Sequence, residues 1–170
     1  MKYRDRPSYG DSVAALMVAR LLAAAGPGTG ELPGWDLVVP VPMYLGKKEK
    51  RGYNQAEIIG RGLAKRLGLP YRANVLKRNR ETELMSKLSL DERKQNLTGA
   101  IILNSAFEKT IPGSSVLLVD DVYTTGSTAD ACAMVLKNAG CAPVDLITFA
   151  IGADVNQKSA QDIVSGAEHF

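Results

Sequence analysis

One stretch, residues 116–128, constrains the fold of this chain more than any other. It begins with four consecutive apolar residues, Val116 to Val119, and continues directly into two adjacent carboxylates, Asp120 and Asp121. A short apolar run of this kind predicts a central parallel strand that is covered on both faces. The acids then fall at the carboxyl end of the strand, where open α/β sheets place their ligands.

A hydroxyl-rich loop and a helix follow the acids without a gap. The apolar-periodic segment after the loop ends at Gly140, in the position of a helix C′ glycine. A helix N-terminus presents unpaired backbone N–H groups and the positive end of the helix dipole, and Thr and Ser hydroxyls add further donors. A phosphate group therefore fits this loop, whose residues are Thr124, Thr125, Gly126, Ser127 and Thr128.

The two carboxylates need a separate explanation, because negative charges beside a phosphate repel it. Ribose hydroxyls that donate hydrogen bonds to Asp120 and Asp121, or a bridging Mg²⁺, remove that conflict. A sugar phosphate with a free diol satisfies both halves of the stretch. The alternative is that the acids cap a helix and the loop is an ordinary surface turn, which the full order of strand, acids, loop and helix makes the less favoured interpretation.

The stretch resembles the phosphoribosyl pyrophosphate signature of type I phosphoribosyltransferases, in which four apolar residues precede two acids and a Thr/Ser-Gly phosphate loop. The resemblance implies that Asp120 and Asp121 bind the ribose hydroxyls and hold Mg²⁺, directly or indirectly. It implies that residues 124–128 bind the 5′-phosphate. Catalysis would then be mainly electrostatic and would need no covalent nucleophile.

A second motif lies earlier in the chain. Residues 36–42 predict a short strand that stops near Val39, because its prolines forbid continued ladder pairing, and residues 47–51 predict a loop with four cations. Alone, such a cluster is as often a solvated loop as an anion site. Residues 38–42 and 50–55 resemble the Pro-Val-Pro and Arg-Gly-Phe/Tyr-Asn-Gln pattern of the ComF branch of phosphoribosyltransferases. The residues that this resemblance assigns to pyrophosphate are Val41, Pro42, Lys50 and Arg51.

A third motif begins at residue 78. Residues 78–96 are polar, charged and short of apolar anchors, which predicts a mobile element. They resemble the ComF segment that takes the place of the flexible loop closing over phosphoribosyl pyrophosphate in related enzymes. Arg80 is the catalytic residue that this resemblance adds to the acidic pair. Met85 departs from the pattern, since the family typically has Gln there, and a polar contact expected of the closed loop is missing.

The rest of the chain predicts one α/β domain. A helix is expected over residues 12–25 and another from residue 55, with further strands at 75–77, 100–103 and 144–150. This alternation favours a mostly parallel sheet flanked by helices, the Rossmann-like fold of type I phosphoribosyltransferases. We expect that domain over residues 1–152, a polar tail over 153–170, and no N-terminal zinc module of the kind many ComF proteins carry.

Composition excludes several other classes. A net charge of +3 over 170 residues does not by itself indicate nucleic-acid binding. The single histidine, His169, lies in the polar tail, which argues against a histidine base or a histidine-rich metal site. Cys132 and Cys141 lack metal-ligand spacing and are expected as free thiols. Without a signal sequence or an apolar run of about 18 residues, we expect a soluble cytoplasmic protein with no membrane span.

Two functions from different classes stay open. One is an enzyme that binds phosphoribosyl pyrophosphate or another ribose phosphate with Mg²⁺ and transfers phosphoribose to an unknown acceptor. The other is a non-catalytic ComF-type competence protein that takes part in DNA uptake and binds single-stranded DNA, whose phosphates suit cationic loops nearly as well. An aromatic content of 6% favours the first, and Tyr3, Tyr9 and Tyr123 are the candidates to stack on an acceptor base. Related enzymes are commonly dimers, so the resemblance also implies a homodimer.

Overall fold

A computed structural model describes residues 6–24, 32–81 and 99–152. The predicted C-terminal tail, Tyr3, Met85 and most of the predicted mobile element lie outside these residues, and Tyr9 lies in a helix whose first side chains are not described. The helices are α1 (Arg6–Ala24), α2 (Leu45–Arg51), α3 (Gln55–Leu67) and α4 (Ser127–Asn138). The strands are β1 (Leu37–Pro40), β2 (Leu76–Arg78), β3 (Ile101–Leu103), β4 (Val116–Tyr123) and β5 (Val144–Ile151). None of the helices in the described ranges is long and apolar enough to cross a membrane.

The central sheet has three parallel strands in the order β1-β4-β5. Leu37 pairs with Val116 and Pro40 with Val119, while Val116 pairs with Val144 on the other side of β4. Strands β2 and β3 form a separate antiparallel ribbon. The predicted α/β fold with a mostly parallel sheet flanked by helices is confirmed.

Both faces of the sheet are covered, because β4 sends alternate side chains to opposite sides. Leu117 and Val119 pack with α1 and α3, and Val116 and Leu118 pack with α4 and the ribbon. Each of these four side chains is at most 1% exposed. The apolar run therefore forms the buried centre of the domain, as its composition predicts.

Helix α3 is held against the sheet by close contacts with α1. A Cβ atom on Gly62 would lie 2.8 Å from Cβ of Ala14, and one on Gly10 would clash with Cγ2 of Ile58, so the two helices meet at small residues. A bidentate ion pair between Asp11 and Arg66 borders the contact. On its other side α3 meets the sheet, where a Cβ atom on Gly60 would lie 3.7 Å from Cγ1 of Val38, so the helix is held between α1 and β1.

Three sequence expectations about local structure need correction. Helix α1 begins at Arg6, before the expected start at residue 12. The prediction of a loop for the cationic segment was wrong, since this segment forms helix α2. The helix ends at Gly52, which has the left-handed conformation and donates its N–H to the Lys48 carbonyl. Strand β4 continues through the acids as far as Tyr123, because β5 pairs with it over the same length.

Candidate functional site

The first two motifs meet at the carboxyl edge of the sheet. Because β1 and β4 run parallel with Pro40 opposite Val119, the loop after β1 begins beside Asp120. The Val41 N–H donates to the Val119 carbonyl oxygen over 2.8 Å and extends the pairing by one residue. Val41 and Pro42 are both buried, so their contribution to ligand binding is limited to backbone groups.

The Asn54 side chain holds this loop in place through a hydrogen bond to its backbone. Its side chain is 4% exposed and caps α3, with Oδ1 accepting the Ala56 N–H over 3.1 Å. Its Nδ2 donates to the Val41 carbonyl oxygen over 3.0 Å. One side chain thus ties the start of a helix to the candidate pyrophosphate loop. The sequence interpretation used Asn54 only as part of a motif and missed this role, although an Asn directly before a helical segment is an N-cap signal.

The acidic pair occupies the end of β4 and is partly buried. The Asp121 N–H donates to Oδ1 of Asp120 over 2.8 Å. Burial and, after it, the charge of the neighbouring Asp121 together raise the pKa of Asp120 to about 7, while Arg78 opposes the change. Near neutral pH the pair therefore carries less than two full negative charges. A cation or a set of hydroxyl donors at this edge would favour the fully ionised pair.

Arg78 is a second site residue that the sequence interpretation missed. Leu76 and Arg78 are two residues apart on β2 and therefore share one side of the ribbon. Leu76 packs into the same core cluster as Cys132 of α4. The Arg78 guanidinium is half-buried within electrostatic reach of both Cys132 and Asp120, and burial is the main reason that its pKa is lowered.

Arg80, the predicted catalytic arginine, lies two residues further along the same segment. Its side chain is exposed, and its charge acts on Arg78 as a like charge. The Arg-x-Arg spacing in the sequence was the available signal that two guanidinium groups would share one side of an extended segment. The catalytic assignment of Arg80 stays a prediction.

The phosphate loop joins β4 to α4. Gly126 is the N-cap residue, with a left-handed φ of 79°, and its carbonyl accepts the Asp130 N–H over 2.8 Å. Glycine offers no side-chain acceptor to the first-turn N–H groups, which leaves them to an external anion. The Thr125 and Ser127 hydroxyl oxygens lie 3.1 Å apart and share a hydrogen bond beside the loop.

A shallow depression that opens to solvent joins Asp120 to the phosphate loop. It brings the Asp120 carboxylate and the N-terminus of α4 into one space. Tyr123, a candidate for stacking on an acceptor base, lies against Gly126, and its stacking role stays a prediction. The lining residues are Asp120, Val122, Tyr123, Thr124, Gly126, Thr128 and Ala129. Asp121, Thr125 and Ser127 are neighbours of this lining and do not form part of it.

The cations of α2 are partly engaged within the protein. Lys48 Nζ donates to both Glu57 carboxylate oxygens, over 2.6 and 2.8 Å. Arg51 donates to Oε1 of Gln55 over 2.6 Å, and its guanidinium lies 5.2 Å from the centre of the Tyr53 ring. Lys50 and Arg51 are exposed. These contacts explain why Arg, Tyr and Gln occur together in the motif, and the assignment of Lys50 and Arg51 to pyrophosphate stays a prediction.

The acidic pair is also a candidate Mg²⁺ site. Within the ranges that the structure describes, no three His, Cys, Asp or Glu side chains converge on one point. The donor set nevertheless suits Mg²⁺, which proteins commonly hold through one or two carboxylates together with substrate phosphates and water. Asp120 and Asp121 fit that pattern if a phosphorylated ligand completes it.

Comparison with known proteins agrees with this geometry. Residues 49–165 match the family model described as phosphoribosyl transferase domain. Competence protein F of Haemophilus influenzae is 36% identical over 72% of this chain and 55% of its own length. DNA utilization protein YhgH of Salmonella typhi is 34% identical over 86% of this chain and 62% of its own length. The chain therefore spans 55% to 62% of the length of these two relatives.

A solved structure shares the fold. The glutamine phosphoribosylpyrophosphate amidotransferase from B. subtilis superposes on 95% of this chain with a TM-score of 0.55, at 17% identity and over 32% of that protein. At this identity the likeness concerns the fold alone. It agrees with the parallel sheet and the helix that follows the acidic pair.

Proposed function

The chain belongs to the phosphoribosyl transferase domain family, in its ComF branch, and on that basis we propose that it binds phosphoribosyl pyrophosphate with Mg²⁺ and transfers phosphoribose to an acceptor. The observation that carries the proposal is a single depression lined by Asp120 of the acidic pair and by the N-terminus of α4. The parallel pairing of β1 with β4 adds the start of a second loop at the same edge.

Each part of the ligand has a group of matching chemistry. The ribose diol would donate to Asp120 and Asp121, and the 5′-phosphate would accept from residues 124–128 at the start of α4. The backbone at Val41 and Pro42 lies next to the acids and would face pyrophosphate, with Lys50 and Arg51 supplying positive charge. This arrangement separates the 5′-phosphate from the carboxylates by the sugar, and Mg²⁺ would offset the repulsion between the carboxylates and pyrophosphate.

The reaction would break the bond between the anomeric carbon and pyrophosphate while the acceptor bonds to the opposite face of that carbon. The bonding electron pair leaves with pyrophosphate, and positive charge grows on the sugar ring. Ionised Asp120 and Asp121 would stabilise that charge through space. Arg80 lies two residues beyond Arg78, whose guanidinium is within electrostatic reach of Asp120, and would stabilise the leaving group. Mg²⁺, held by the acidic pair and the ligand phosphates, would neutralise charge on pyrophosphate.

The proposal is tested by calorimetric titration of the chain with phosphoribosyl pyrophosphate, with and without Mg²⁺. We expect saturable binding that Mg²⁺ strengthens and that the double variant Asp120→Asn/Asp121→Asn abolishes. Glu108→Gln is the matched control, since Glu108 is an exposed carboxylate that lies away from the depression. Absence of binding by a folded wild-type chain would reject the proposal.

A second candidate function follows from the names of the relatives, one a competence protein and the other a DNA utilization protein. In this alternative the chain does not catalyse transfer, and the exposed cations Lys50 and Arg51 contact the backbone of single-stranded DNA. Such binding weakens steeply with salt, because phosphate contacts release counterions. In a salt series with oligodeoxythymidine, the logarithm of the affinity should fall steeply with the logarithm of the salt concentration. The double variant Lys50→Gln/Arg51→Gln should show a shallower dependence on salt than Lys109→Gln.

Sedimentation of the free chain tests the homodimer that the family implies.

A further inference from the structure

The Tyr123 side chain lies across the phosphate loop. Its hydroxyl oxygen is 2.6 Å, and its Cζ 3.0 Å, from the position that a Cβ atom on Gly126 would occupy. Tyr123 also lines the depression together with Thr124 and Thr128. The phenol is therefore held over the backbone from which α4 begins.

The position of this hydroxyl gives it a chemical role. A phenol donates one hydrogen bond and is neutral near pH 7, so it can approach a phosphate without repulsion. The loop beneath it combines first-turn N–H groups with the positive end of a helix dipole. The hydroxyl reaches this region because Gly126 leaves the space open, and any larger residue there would meet the ring.

We propose that Tyr123 is a further phosphate-binding residue, whose hydroxyl donates to the 5′-phosphate of a ribose phosphate ligand. This inference rests on the proposed function, and it adds a side-chain donor from the end of β4 to the loop residues 124–128. Tyr123 would thus contact the phosphate half of the ligand and not the acceptor base.

The test compares Tyr123→Phe, which removes only the hydroxyl oxygen, with Tyr71→Phe. Tyr71 donates its hydroxyl to the Glu57 carbonyl over 3.1 Å, away from the depression, so it is a matched control for the loss of a phenol hydroxyl. Calorimetry is carried out with ribose 5-phosphate, with phosphoribosyl pyrophosphate and with inorganic pyrophosphate, each in the presence of Mg²⁺. Thermal melting of each variant checks that it is folded.

We expect Tyr123→Phe to lower the affinity for both ligands that carry a 5′-phosphate by on the order of tenfold, the usual effect of losing a hydrogen bond to a charged group. Binding of pyrophosphate should stay unchanged, and Tyr71→Phe should bind all three ligands as the wild type does. Equal affinity of the wild type and Tyr123→Phe for ribose 5-phosphate would overturn the inference and leave the proposed function intact. Equal weakening of pyrophosphate would also overturn it, because the effect would then be structural. A folded wild type that binds none of the three ligands would reject the proposed function and the inference together.

Discussion

Replacing Asp120 with Asn should stabilise the free protein above neutral pH while it abolishes ligand binding. Burial is the main reason that the pKa of this carboxyl rises from its ordinary value of 3.8 to about 7. The folded state therefore holds the proton more tightly than the unfolded chain does. Stability from this group is fully present below about pH 4 and is lost as the pH rises through 7, because the folded protein must then bury a charge.

The size of the effect follows from the same two pKa values. A difference of one pKa unit corresponds to about 1.4 kcal/mol, so the interval from 3.8 to about 7 sets an upper value of about 4 kcal/mol. The charge of the neighbouring Asp121 accounts for part of that rise, and the two carboxylates share the repulsion, so we expect roughly 2 kcal/mol from the single variant. For a domain of this size that gain raises Tm by roughly 4–8 °C.

Urea denaturation of the free chain at pH 5 and pH 8.5 measures the effect. We expect the stability of Asp120→Asn to exceed that of the wild type by more at pH 8.5 than at pH 5. The exposed carboxylate variant Glu108→Gln should show no such difference between the two pH values. The reasoning would be refuted if Asp120→Asn were less stable than the wild type at pH 8.5, or if its effect did not depend on pH.

Two further changes test the residues that hold the site in place. Asn54→Ala removes the α3 cap and leaves the Val41 carbonyl without its side-chain donor, so it should lower the free energy of unfolding by about 2–3 kcal/mol in urea denaturation. Asn54→Asp keeps the cap acceptor and loses only the donor to Val41, so it should lose less stability than Asn54→Ala. Wild-type stability of Asn54→Asp would contradict a role for the bond to Val41, and losses equal to those of Asn54→Ala would contradict a role for the cap. Arg78→Met removes a positive charge near Asp120 and should raise the pKa of that carboxyl, as followed by NMR titration of its side-chain carbon. An unchanged or lowered pKa would show that Arg78 does not act on Asp120.

Much of the fold could be predicted from the sequence because one signal was strong and local. The residues 116–119 are apolar without interruption since they are buried on both faces, and the segment after them has helix periodicity and a terminal glycine. The helix at residues 45–51 was missed because its Gly and Lys residues, close behind two prolines, give no apolar periodicity, and none of its side chains is buried. Burial patterns cannot indicate an element that contributes nothing to the core.

The part of the site formed by Arg78 could not be predicted for a different reason. Strand β2 has only three residues, and its partner β3 begins more than twenty residues later in the chain. Neither segment is long enough to show a periodicity, so the pairing of Leu76 with Leu103 and of Arg78 with Ile101 depends on tertiary packing. Arg78 approaches Asp120 only through that ribbon, and no local pattern around either residue records the contact.

The position of the site depends on the same packing that stabilises the domain. A shift of one residue between β1 and β4 would turn the side chains of one strand to the opposite faces of the sheet, where they would meet neighbours of a different shape, so packing fixes the register. That register is also what sets Val41 beside Asp120. The ionised acidic pair opposes folding, so burial of the apolar residues that precede it must offset that cost. A buried substitution such as Leu118→Ala should therefore shift the edge of the sheet and weaken ligand binding, although Leu118 itself contacts no ligand. Ligand affinity and the free energy of unfolding should be measured together for such core variants. A variant that is fully folded at the assay temperature should already bind the ligand more weakly, which separates a displaced sheet edge from loss of folded protein.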